Sequence, residues 1–184
     1  MIFNREDVIK FAVAFLLVLI GVVFRLLPHP PNFTPVGAIA LFAGVYLSLG
    51  ISFVLPVVAM FISDIFLGGY RLPVMGAVYG SFLLTAVLGI WLRQDVKWYK
   101  VATGAVLSAV FFFLFTNFAV WAFTPWYSRD FVGLVSCYLA AIPFFKNTLA
   151  GNLFFTALFF GTYLLVNMLL EKLATRLKNF LISF

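Results

Sequence analysis

From Val36 to Ile62 the chain carries no charged residue, and this uncharged run restricts the fold more than any other feature. It does not stand alone. Leu72–Leu92, Val101–Phe123 and Asn147–Leu170 are apolar stretches bounded by charges or prolines, each with the roughly 20 residues that a helix needs to cross a bilayer. A further run, Val8 to Leu27, follows a mixed start containing Arg5, Glu6, Asp7 and Lys10. Hydrophobic residues make up 65% of the chain and charged residues 10%, against about a quarter charged in soluble domains, and the mean hydropathy is +1.14. The sequence therefore predicts an all-α integral membrane protein, one transmembrane domain over residues 1–184, with the lipid bilayer as its surroundings. Val8–Leu27 has no small-residue cleavage site of the A-x-A kind, so it reads as a retained helix. The expected location is the inner (cytoplasmic) membrane, crossed several times.

How often the chain crosses depends on Val36–Ile62, which is either one long tilted helix or two short ones turning near Ser48–Phe53. Lys and Arg in short loops favour the cytoplasmic side, and their distribution separates the alternatives. With six spans, Arg5, Lys10, Arg93, Lys97, Lys100, Lys172, Arg176 and Lys178 share one side, leaving Arg25, Arg71, Arg129 and Lys146 opposite. With five spans the basic residues divide almost evenly. The reading is six transmembrane helices near 8–27, 35–49, 51–68, 72–92, 101–123 and 147–170, with both termini cytoplasmic. Phe131–Ile142 is too brief to cross and is followed by Pro143, so it is expected as a re-entrant or interfacial segment over the outer face. In the tail, 171–184, Lys172, Arg176 and Asn179 alternate with Leu173, Leu177, Phe180 and Leu181. It is either an amphipathic helix along the inner leaflet or the frayed end of the last span.

Several function classes fall away. A net charge of +6 in such a chain marks cytoplasmic loops, so no nucleic-acid partner is expected. The single cysteine, Cys137, cannot form an internal disulfide, and no His or Cys stands at metal-ligand spacing, so neither metal nor cofactor is expected. There is no G-x-x-x-x-G-K-[ST] and no H-E-x-x-H. Asp64 with His29 is the only acid/base pairing on offer, and no nucleophile, base and orienting group occur together. The chain reads as a non-enzyme.

The unusual polar residues gather on the predicted outer face. The first outer loop, within "RLLPHPPNFTPVGAIALFAG", holds Arg25, His29 and Asn32, and its prolines cannot continue a helix, so they make a stiff cap. The second, "SDIFLGGYR", holds Asp64, Tyr70 and Arg71. The third runs "TNFAVWAFTPWYSRDFVGLVSCYLAAIPFFKN" and contributes Asn117, Trp121, Tyr138 and Asn147. Asp64 lies near membrane depth, where an unpaired charge costs at least about 2.5 kcal/mol, so it needs a partner; Arg25 should sit at similar height. That pair either ties two helices together or faces a ligand. Thr148, Asn152, Thr156, Tyr163 and Asn167 line one face of the last helix, and such a stripe serves helix packing or a site. Asn147 and Asn152, at its outer end, are the better site residues. Candidate substrate-binding residues are thus Arg25, His29, Asn32, Asp64, Asn117, Trp121, Tyr138, Asn147 and Asn152. Arg25, Arg71, Arg129 and Lys146, against Asp64 and Asp130, suggest that an anionic or polar-aromatic ligand is tolerated.

The motifs R-x-x-P-H-P-P-N-F-T-P-x-G-A-x-A-L-F-x-G, S-D near the end of helix three, T-N-F-x-V-W and C-Y-x-A-A-I-P-F-F-x-N-T-L-x-G make the chain resemble an uncharacterised family of six-span bacterial membrane proteins (DUF6580-like). That family in turn resembles the substrate-binding S components of energy-coupling-factor (ECF) vitamin transporters. The resemblance implies an S-component-like bundle that captures a small micronutrient or vitamin-type substrate near the outer face with loops one, three and five. It also implies an energy-coupling membrane subunit with ATPases as partner. Two departures stand out. The A-x-x-x-A pattern that S components carry on helix one is missing, since Leu16 and Val18 follow Ala12 and Ala14, while small-residue spacing occurs at Ala40/Gly44 and Ala105/Ala109. Cys137 also lies in a different loop from the cysteine of cobalamin-binding S components. The alternatives are a structural membrane subunit binding protein partners, similar in size and hydropathy to MreD, and, less favoured, a membrane-embedded enzyme.

Overall fold

The computed structural model describes residues 5–182, with side chains from Val8 to Thr175. All regular structure among them is helical: α1 (Arg5–Leu26), α2 (Val36–Tyr46), α3 (Leu49–Leu67), α4 (Leu72–Leu92), α5 (Trp98–Phe123) and α6 (Phe131–Ile182). Five of the six are long and apolar enough to cross a membrane. The exception is α2, 11 residues, which at 1.5 Å per residue rises only about 16 Å. Two helices do replace a single tilted one over the uncharged run, breaking at Leu47–Ser48, but they are unequal.

The short helix is the core. Every residue from Val36 to Val45 is buried, and α2 touches each of the other five helices. A helix hydrophobic all round and buried on every side needs no polar face, which is why its sequence, VGAIALFAGVY, has none. Its small residues set how closely the neighbours approach. A Cβ on Gly44 would lie 2.4 Å from the carbonyl oxygen of Ala86, and one on Gly89 2.4 Å from that of Leu41, so α2 and α4 meet backbone to backbone. Aromatic rings fill the opposite side, where Phe42 and Tyr46 of α2 stack with Phe160 and Tyr163 of α6.

Contacts fix the direction of each helix. At one end of the bundle Arg25 closes α1 against Ser63 and Asp64 near the end of α3, and α4 starts close by. At the other end Arg93, just past α4, donates to the carbonyls of Gly44 and Leu47 and to Ser52. The guanidinium thus satisfies carbonyls that the C-terminus of α2 leaves open, where a cation also complements the helix dipole. Consecutive helices run antiparallel between these two ends.

The sequence expectation fails most clearly at α6. Phe131–Ile142 is no separate re-entrant or interfacial piece; it is the start of α6, which continues through Pro143 and on to Ile182. Proline removes one backbone donor and crowds the preceding turn, yet inside membrane helices that loss is absorbed by local adjustment and neighbouring groups. Pro56 within α3 is a second case. Asp130 sets the beginning of α6: its Oδ1 accepts from the Gly133 amide at 2.7 Å and from Ser128 Oγ at 2.8 Å, the geometry of an N-cap. These bonds, the Gly133 amide foremost, hold the Asp130 carboxyl below the usual carboxylate range. The backbone of the tail is helical without a break to Ile182, while the basic face drawn from Arg176 and Lys178 lies outside the described side chains.

Candidate ligand cavity

Loop one, between α1 and α2, is built as a tight cap. The Phe33 amide donates to the Pro30 carbonyl and the Thr34 amide to that of Asn32. Asn32 adopts a left-handed conformation, φ 64°, which asparagine tolerates better than most residues. The cap is fastened to α6: Asn147 Nδ2 donates to the Pro31 carbonyl at 3.0 Å, Phe33 packs on Phe154 and Phe155, and Gly151 leaves room for the backbone at Phe33–Thr34.

Beneath this cap lies a cavity of about 270 Å³. Arg25, His29, Asn32 and Thr34 supply its roof and one wall, Met60 and Leu67 come from α3, and Tyr70 from the α3–α4 turn. Val78 and Phe82 of α4, Phe112 of α5, and Thr148 and Asn152 of α6 complete it. Aromatic and aliphatic side chains thus share the lining with several polar ones, the usual composition of small-molecule sites. A second cavity of about 80 Å³ adjoins it, sharing Asn32, Phe112 and Thr148 and adding Asn117.

Arg25 and Asp64 form the expected pair, with Nη2 2.7 Å from Oδ1 and both side chains largely buried. The pair is well supported. Arg25 Nη1 also donates to Ser63 Oγ and to the Met60 carbonyl, and the second oxygen of Asp64 accepts from the Tyr79 hydroxyl at 2.8 Å. Such surrounding bonds are what a buried ion pair requires if its attraction is to offset desolvation. Burial, then the negative charge of Asp64, pushes the Tyr70 hydroxyl up to about 12, with Arg25 pulling the other way; this phenol therefore stays protonated.

On α6, Asn152 is 4% exposed. Its Nδ2 donates to Ser108 Oγ at 3.1 Å and to the Ala105 carbonyl at 3.3 Å. Opposite, its Oδ1 overlies Gly37 in the first turn of α2, where a Cβ would come within 2.4 Å. Glycine at that position is what lets Asn152 reach between the helices.

Of the nine candidate residues, Arg25, His29, Asn32 and Asn152 line the larger cavity, Asp64 stands behind Arg25, and Asn117 lines the smaller one. Trp121, Tyr138 and Asn147 lie outside both. Trp121 Nε1 donates to the Ser128 carbonyl, so with Asn147 it braces a loop against a helix, and the Tyr138 hydroxyl donates to the Leu114 carbonyl, tying α6 to α5. Thr34, Tyr70, Phe82, Phe112 and Thr148 line the cavity without having been singled out as site residues. Thr148 was legible as the neighbour, one turn away, of Asn152. Phe82 and Phe112 carried no signal that set them apart among 25 phenylalanines. Cys137 is buried, its thiol 3.4 Å from the Asn117 carbonyl. Among the described residues no group of three or more His, Cys, Asp or Glu side chains is placed to hold a metal ion.

An all-helical chain with five long apolar helices is a multi-pass membrane protein in class. Residues 5–174 match a family described as "Family of unknown function (DUF6580)", and the chain belongs to that family. No curated protein and no solved structure matches it.

Proposed function

We propose that the chain is a membrane-embedded capture protein that takes a small micronutrient or vitamin-type molecule into the cavity under loop one. The observation that carries this reading is the cavity itself: polar side chains from loop one, the α3–α4 turn and α6 converge on one space that apolar side chains of α3, α4 and α5 also line. In the proposed arrangement the chain crosses the inner membrane six times, α2 being a short crossing sheathed by the other helices, with both termini cytoplasmic and the cavity outward. This follows the positive-inside rule, and the antiparallel succession of helices is compatible with it. By analogy with S components, an energy-coupling membrane subunit with ATPases supplies the driving force.

The test is thermal unfolding of the purified full chain in detergent against a panel of vitamins and their precursors. A member of the panel should raise the midpoint for the native chain and not for Asn152→Leu. If no compound shifts the native chain, the reading fails.

A second reading, a structural subunit that binds protein partners, draws on α6. Its 52 residues extend about 78 Å, and from Leu164 to Leu170 nearly every large apolar side chain is exposed. A stable protein partner recovered in a mild-detergent pull-down would favour it.

A further inference from the structure

Of the four outer cations that suggested an anionic ligand, three are hydrogen-bonded to other protein groups, and the fourth, Lys146, is exposed and lines neither cavity. Arg71 donates to the Phe123 carbonyl and Arg129 to that of Thr124, both outside the cavity. Arg25 does line it, but its Nη2 is bound to Asp64 and its Nη1 to Ser63. The ion pair leaves no net charge for a ligand to answer.

The remaining polar groups have a definite sense. A carbonyl oxygen can only accept, so the 2.6 Å contact between His29 Nδ1 and the Leu27 carbonyl puts a proton on Nδ1; in the neutral ring Nε2 is then an acceptor. The same reasoning fixes the amide of Asn152. Its nitrogen must face the Ala105 carbonyl, so its oxygen is an acceptor, and no hydrogen bond engages it among the described residues.

Resting on the function proposed above, we infer that the ligand is a small, uncharged molecule that donates hydrogen bonds and has a flat apolar face, in the chemical class of neutral heterocyclic amides. Its donors meet Asn152 Oδ1, and its face lies on Phe82 and Phe112. An anion would meet no uncompensated positive charge, because Arg25 is neutralised by Asp64, and pulling Arg25 toward it would strip a buried carboxylate of its counter-ion, which is strongly unfavourable. A cation has no better prospect, because the charge of Asp64 is already balanced by Arg25 and its second oxygen already accepts from Tyr79. About 270 Å³ falls just below the usual span of ligand pockets, roughly 300–1,000 Å³, so the molecule is compact.

The experiment is thermal unfolding of the purified full chain with shape-matched triplets differing in charge, nicotinamide, nicotinate and 3-(aminomethyl)pyridine being one of many in a fragment set. Neutral donor-bearing members should raise the midpoint by about 5 °C or more at roughly a hundredfold excess over Kd. The shift should disappear in Asn152→Leu and shrink in Tyr70→Phe, which keeps the ring and removes only a hydroxyl. Preference for the anionic or cationic members would overturn the inference while leaving capture of a small molecule intact. Neutral hits that persist unchanged in both variants would overturn it too, by placing the site elsewhere. No shift in any class would overturn the capture reading and this inference together.

Discussion

At the residue scale, the Arg25–Asp64 pair at the cavity end of the bundle, with its satellites Ser63, Met60 and Tyr79, is the most consequential polar cluster. Removing one member leaves the other buried and uncompensated, so Asp64→Leu should cost about 3–5 kcal/mol of stability. Replacing both, Arg25→Leu with Asp64→Leu, should recover much of that loss. Thermal or denaturant melts of the two single variants and the double in the same detergent measure the coupling; additive losses would show that the pair is not a unit. At α6, Asp130 offers a pH test. Its carboxyl is held below the usual carboxylate range by the Gly133 amide first and then Ser128. A group with a depressed folded pKa contributes its stability above the unfolded value and loses it as pH falls through the folded one. Protection of the amides in the first turn of α6, relative to their intrinsic exchange rates, should therefore fall below about pH 4, and Asp130→Ala should show the lower protection already at neutral pH. Equal protection in both chains at neutral pH would rule out the cap.

At the scale of the element, α2 explains both what the sequence revealed and what it concealed. The break within the uncharged run was legible because the basic residues divide unevenly only when two helices occupy it. The glycines and alanines announced close packing, and Gly44 and Gly89 deliver it. Substituting alanine at either position forces a methyl group into a backbone carbonyl and should destabilise the chain by about 1–3 kcal/mol or more, as overpacking does. Gly76→Ala and Gly80→Ala, whose Cβ positions meet nothing within 4 Å, should be neutral or slightly stabilising because alanine favours helix. Melting curves of the four variants decide this, and equal effects at all four would mean that α2 and α4 do not touch as described. The start of α6 was not legible. Pro143 is read as a stop when only local rules apply, whereas a lipid-embedded helix with neighbours on α5 carries on through it. The capping contribution of Arg93 was hidden for a related reason: an arginine at a helix end looks like an ordinary loop cation until the carbonyls of Gly44 and Leu47 are seen to face it.

At the scale of the whole molecule, the helices assemble an asymmetric bundle with the polar cavity at one end and the Arg93 tie between α4 and α2 at the other. The sequence pointed to the cavity end through residue types that are rare at membrane depth. Arg25, His29, Asn32 and Asn152 converge there, while Trp121 and Asn147 brace the loops and Tyr138 ties α6 to α5. What one-dimensional pattern cannot give is which polar side chains are already engaged with backbone carbonyls, and that accounts for the three. Asn152 is the best single probe of the central claim, since it is buried, lines the cavity and keeps an acceptor open. The most direct measurement is native mass spectrometry of the full chain released from detergent micelles, comparing the native protein with Asn152→Leu. The account predicts a bound small molecule of one defined mass on the native chain and none on the variant. A native chain that carries nothing even after incubation with a broad small-molecule extract, or a variant that carries the same mass at the same occupancy, would contradict it.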